Sequence, residues 1–79
     1  MTREIKVPFL GDGIDKVTVA EWHYKPEDVV PPGEDLFELE ADKALFSVPC
    51  EKKCILRAIL VPAGQEASIG QVVAIVEDL

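Results

Sequence analysis

Leu36-Phe37-Glu38-Leu39-Glu40-Ala41 and Ala44-Leu45-Phe46-Ser47-Val48 stand on either side of Asp42-Lys43, close to the midpoint of a 79-residue chain. Both flanks carry the Leu, Phe and Val content of short strands. Asp favours turns, because its carboxylate can bond nearby backbone N–H groups. The stretch is therefore predicted to be a hairpin with Lys43 at its tip. A lysine there has a free, flexible stem and an accessible amine. Such a tip suits a group that is modified and then swung between partners.

Working outward, the chain repeats itself when shifted by 37 positions. Val17-Thr18-Val19-Ala20-Glu21-Trp22 falls on Cys54-Ile55-Leu56-Arg57-Ala58-Ile59, Gly33 on Gly70, Leu36-Phe37 on Val73-Ala74, and Leu39-Glu40 on Val76-Glu77. The turn Lys25-Pro26-Glu27-Asp28 matches Pro62-Ala63-Gly64-Gln65. Short strands with turn signals at regular spacing predict an all-β sandwich or barrel. Proline at 8, 26, 31, 32, 49 and 62 interrupts every candidate helix. Neither half can bury its apolar face alone, so the halves must pack on each other. Lys43 then lies at one end of a pseudo-symmetric body, with the termini at the other.

Composition narrows the function. A chain of 79 residues is one domain, residues 1–79, too small to enclose a sizeable internal active site. The hydrophobic share of 48% supports a real core. A formal net charge of −7 argues against nucleic acid, since phosphate binding needs clustered Lys and Arg. No apolar run approaches membrane-spanning length, and Met1–Leu10 lacks the core and cleavage site of a signal peptide. A soluble intracellular domain is expected, in a bacterial cytoplasm or alternatively a mitochondrial matrix, monomeric in isolation and free of membrane. Cys50 and Cys54 are expected to be free, partly buried thiols without a catalytic role, with a disulfide at that spacing as the lesser alternative. A metal site is not expected, because His23 is the only histidine. Trp22 is expected in the core. His23 reads as a strand-surface residue with no carboxylate partner in view, and Gly33 and Gly70 as turn glycines.

The full set of motifs resembles the lipoyl domain of the acyltransferase (dihydrolipoamide acyltransferase) component of 2-oxo acid dehydrogenase complexes, such as pyruvate dehydrogenase. The residues that carry the resemblance run from Val7-Pro8-Phe9-Leu10-Gly11-Asp12-Gly13-Ile14 through Val19-Ala20-Glu21-Trp22 and Pro32-Gly33-Glu34-Asp35-Leu36. They continue through Glu40-Ala41-Asp42-Lys43-Ala44, Val48-Pro49 and Ile69-Gly70-Gln71-Val72-Val73-Ala74. The resemblance implies a flattened barrel-sandwich hybrid of two four-stranded antiparallel sheets. It implies lipoic acid in amide linkage to Lys43, which would take the net charge from −7 to −8. The dithiolane does the chemistry, and the protein supplies placement.

The implied partners are a lipoate ligase or lipoyl transferase, a thiamine-diphosphate-dependent decarboxylating dehydrogenase, the acyltransferase catalytic domain and dihydrolipoamide dehydrogenase. Recognition by them falls on Glu40, Asp42 and Ala44 around the lysine and on Leu10, Gly11 and Asp12 of the first loop. Ala41 departs from the Thr or Ser usual in the family. Glu27 replaces a common Gly and is expected to hold a left-handed backbone at some cost, and Cys50-Glu51-Lys52-Lys53-Cys54 replaces a Ser-Pro-x-x-Gly loop.

Rival readings come from other classes. A biotinyl carrier shares the tip lysine but brackets it with methionines, and Met1 is the only methionine here. An unmodified structural hybrid-barrel module would not need Asp42-Lys43-Ala44. A glycine-cleavage carrier is longer and has helices. A self-contained enzyme would need a catalytic set, and none is present.

Overall fold

In the computed structural model, which describes Met1–Leu79, the chain forms eight strands and no helix. They are β1 (Thr2–Lys6), β2 (Lys16–Trp22), β3 (Val29–Val30), β4 (Asp35–Ala41), β5 (Ala44–Pro49), β6 (Cys54–Ile59), β7 (Glu66–Ser68) and β8 (Val72–Asp78). Two four-stranded sheets, ordered β1-β8-β6-β3 and β5-β4-β2-β7, pair their strands antiparallel throughout. Advancing every strand of the first sheet by four gives the second sheet. The internal repeat is therefore a two-fold relation between whole sheets.

The relation extends to single hydrogen bonds. Glu27 N–H donates to Leu56 O at 2.7 Å, and its repeat mate Gly64 N–H donates to Val19 O at 2.7 Å. Leu56 N–H donates to Asp28 O at 3.0 Å, and Val19 N–H donates to Gln65 O at 2.9 Å. Each half thus presses its first turn onto the central strand of the other. Both central strands shift register at that place, between Val19 and Glu21 and between Leu56 and Ala58. A bulge frees the backbone groups that the turn takes up.

That turn requires a left-handed residue. Gly64 adopts it at φ 93°, and Glu27 adopts it at φ 78° as the departure from glycine predicted. A side chain there is strained by roughly 1 kcal/mol or more. Arg57 donates to the Glu27 carboxylate at 2.9 Å and to Glu77 at 2.7 Å, tying the strained residue down. The pair is exposed, so its compensation is modest.

The interior is wholly apolar: 16 residues are buried and none is polar or charged. Val19, Leu36, Leu39, Leu56, Val73 and Val76 fill it, with Phe37 as its largest side chain. β4 and β8 contribute alternate and adjacent residues because each is a central strand, packed along most of its length. The termini meet at the end away from Lys43: Asp78 N–H donates to Met1 O at 2.9 Å, and Leu79 N–H donates to Lys53 O at 3.0 Å. Arg3 closes the same corner with two donors on Asp78, which holds the Asp78 carboxyl below its usual range.

Two expectations need correction. Trp22 lies at the rim of the core, half-buried, with its ring stacked on Phe37 at a centroid distance of 4.5 Å. Its indole N–H donates to Val61 O at 2.9 Å, which satisfies the one polar group of the ring. His23 does have carboxylate neighbours: Glu38 at 3.4 Å from Nε2 and Glu21 at 3.7 Å from Nδ1. Strand pairing of Glu21 with Glu38 brings them together across the sheet.

The Trp22 geometry separates two contributions. Trp22→Phe keeps the stacking and loses one hydrogen bond, so it should cost about 1 kcal/mol. Trp22→Ala should cost about 3 kcal/mol, the lower end for a large aromatic because the ring is part-exposed. Urea midpoints of the two variants check the difference, and equal losses would show that the stacking contributes nothing.

Candidate functional site

The β4–β5 connection is as short as a hairpin permits. Ala41 pairs with Ala44, and the two residues between them, Asp42 and Lys43, have φ values of 49° and 65°. Positive φ at both central positions defines a type I′ turn, whose twist matches the flanking strands. Asp42 serves through its tolerance of the left-handed region rather than through a carboxylate bond to the turn. Lys43 is an unusual occupant there, where glycine is the common choice. The strain is held by Ala41, which is buried at 6% exposure and anchors the tip to the core.

Asp42, Lys43 and Ala44 are all exposed. The ion pairs of the domain are Arg3–Asp78 and Arg57 with Glu27 and Glu77, and His23 has Glu21 and Glu38 as neighbours. Lys43 takes part in none of them, so its amine faces solvent unengaged.

Two shallow depressions flank the tip. One is lined by Lys16, Thr18, Glu40, Asp42, Lys43 and Glu66. The other runs between the β1–β2 loop and the tip, with Asp12, Gly13, Ile14, Asp15 and Lys16 facing Ala41 and Asp42. This loop, residues 7–15, is five residues longer than its repeat mate, residues 50–53. The extra length lets it reach the hairpin.

The predicted recognition residues are only partly assembled. Glu40, Asp42 and Ala44 surround Lys43, and Asp12 faces Asp42 across the second depression. Leu10 turns away from solvent and packs against the core, while its neighbour Phe9 is 72% exposed. Gly11 shapes the loop: its carbonyl accepts from Ile14 N–H at 3.4 Å, and it lines neither depression. Lys16, Asp15 and Glu66 were not legible as site residues. Their place beside the tip depends on β2 lying between β4 and β7. Leu45, 64% exposed and one residue past Ala44, adds an apolar patch.

Known proteins fit this geometry. The family described as biotin-requiring enzyme, the biotin/lipoyl family, matches residues 3–76. The chain belongs to the biotin/lipoyl family. Its fold is shared with the lipoyl domain of the 2-oxoglutarate dehydrogenase complex from Azotobacter vinelandii. The TM-score is 0.80, at 29% identity and with 92% of each chain covered.

The chain is 35% identical over 75 residues to the succinyltransferase component of the 2-oxoglutarate dehydrogenase complex of Bacillus subtilis, covering 95% of this chain and 18% of that one. It is 37% identical over 79 residues to the acetyltransferase component of the pyruvate dehydrogenase complex of Zymomonas mobilis, covering 99% of this chain and 18% of that one. The chain therefore spans less than a fifth of the length of these relatives. This biotin/lipoyl member is a small carrier module rather than a catalytic domain.

The turn geometry is testable by itself. Asp42→Asn should leave stability nearly unchanged, because Asn tolerates a left-handed backbone equally well. Asp42→Val places a β-branched residue at positive φ and should cost about 1–2 kcal/mol. Thermal melts of the two variants read the contrast, and a tolerated valine would overturn the type I′ assignment.

Proposed function

We propose that Lys43 carries lipoic acid in amide linkage and that the domain shuttles acyl groups and reducing equivalents within a 2-oxo acid dehydrogenase complex. The observation that carries this reading is an unpaired, exposed lysine on a two-residue turn at the hinge of two symmetric halves. The relatives, named as dihydrolipoyllysine-residue acyltransferase components, support lipoate rather than biotin as the group. The absence of methionine beside Lys43 supports the same choice.

What the chain's own residues do is placement. The rigid turn projects Nζ away from the body, so the bound group can enter a partner's active site while the barrel stays outside. The lipoyl group, when bound, supplies the disulfide that accepts an acyl group and two electrons. Tethering keeps it at high effective concentration at each station without tight docking. The acidic surround of Asp12, Asp15, Glu40, Asp42 and Glu66 favours partners with basic surfaces, and Asp12, Glu40 and Asp42 are the recognition residues it contains. Ligase, decarboxylating dehydrogenase, acyltransferase domain and dihydrolipoamide dehydrogenase are the proposed stations.

Lys43→Arg keeps the charge and removes the primary amine. After expression with lipoate and a lipoate ligase, the wild-type domain should gain one lipoyl mass by intact mass spectrometry, and the variant none, with unchanged circular dichroism. A lipoyl group on the variant, or biotin on the wild type, would overturn the assignment. Recognition has its own readout. Asp12→Ala should lower kcat/KM for reductive acylation several-fold while ligase modification proceeds at the wild-type rate, and equal rates in both reactions would move recognition elsewhere.

A further inference from the structure

Cys50 and Cys54 bracket the β5–β6 loop at the end of the body where the termini meet. Six residues of β5 separate Cys50 from the hairpin, a distance of about 20 Å. The corresponding first-half positions are Val7 and Val17, so an apolar side chain suffices there for packing. Instead the two sulfurs face each other at 3.1 Å, and Cys50 Sγ donates to Lys52 O at 2.6 Å.

The separation discriminates between two uses of a thiol pair. Two sulfurs on one zinc, each about 2.3 Å from the metal in a tetrahedron, stand about 3.8 Å apart. No third His, Cys or acid joins them to make a metal cluster. A disulfide bond measures about 2.05 Å, so each sulfur needs to move only about 0.5 Å.

We propose that Cys50 and Cys54 are a reversible dithiol–disulfide couple, oxidised by low-molecular-weight disulfides that arrive over Cys50. Cys50 is the point of entry, because it lines a surface depression with Arg3, Lys6, Pro8 and Glu51 while Cys54 has no exposed surface. The Cys50 thiol gives up its proton, and its sulfur attacks one sulfur of the incoming disulfide. The oxidant's S–S bond breaks, and one half leaves as a thiol after taking a proton. Cys54 then loses its proton and attacks Cys50 Sγ, and the second half leaves as a thiol. Two cysteine thiols lose two electrons and two protons, and the small disulfide gains them.

Burial, with a smaller contribution from Cys50, pushes the Cys54 thiol up to about 12. The second step therefore quickens as pH rises. Closure ties the loop whose Lys53 carbonyl receives Leu79 N–H, so it firms the corner where the chain ends meet.

The test uses the Lys43→Arg domain, which presents no lipoyl amide, and so is independent of the carrier reading. Reduced protein is incubated in glutathione buffers of graded ratio, quenched in acid, alkylated in denaturant and weighed. The expected product escapes alkylation, is about 2 Da lighter than the reduced form and reverts with dithiothreitol. Its Tm should rise by about 10 °C for a closed loop of this length. Cys54→Ala should stop at a glutathione adduct on Cys50, and Cys50→Ala should remain unmodified. If both thiols stay open to alkylation across the series, or only interchain dimers form, the couple does not exist. Faster adduct formation at Cys54 than at Cys50 would overturn the order of attack.

Discussion

Four backbone hydrogen bonds at the centre of the molecule hold everything else in place. Glu27 and Gly64 each give an N–H to the central strand of the opposite half, and that strand's Leu56 and Val19 return one to Asp28 and Gln65. Within each sheet these bonds join a strand of one half to the turn of the other, so neither sheet can form its centre from one half alone. Local pairing inside one half would leave an apolar face bare and a bulged strand with unsatisfied groups. The cost of such groups away from water makes the crossed arrangement cooperative rather than optional. The hairpin that bears Lys43 is the continuation of this frame. β4 is pinned between β2 and β5, and the turn has no slack to move independently.

The repeat made much of this readable. A shift of 37 residues aligns β2 with β6, β3 with β7 and β4 with β8, and with them the central bulges and the left-handed turn residues, since one backbone solution is used twice. Glu27 could be placed at positive φ because it stands where the resembling family commonly has glycine, a residue its repeat mate Gly64 keeps, and no propensity for glutamate would suggest it. The hairpin tip was legible for a similar reason: two strand-like runs leave only Asp42-Lys43 between them.

What escaped the sequence was side-chain direction outside the repeat. The β1–β2 loop has no counterpart of its length, so nothing signalled that Leu10 would turn inward and Phe9 outward. Trp22 was misplaced by its chemistry. A ring with an N–H that must find a partner settles at the edge, where Val61 offers a carbonyl. The neighbours of the tip from β2 and β7 depend on strand order, which hydrophobic alternation alone does not fix.

The meeting of the two chain ends has a topological consequence. With Asp78 N–H bonded to Met1 O at 2.9 Å, a linker of very few residues could join them without disturbing either strand. The body is then a closed ring of eight strands, and where it opens becomes a matter of choice. Opening it between Glu51 and Lys52, in the exposed β5–β6 loop, would spare the four central bonds and leave the Lys43 hairpin in an uninterrupted stretch from the old second half through the first. The lysine's geometry would survive such a permutation, because it is set by strand pairing and not by the order in which the strands are written.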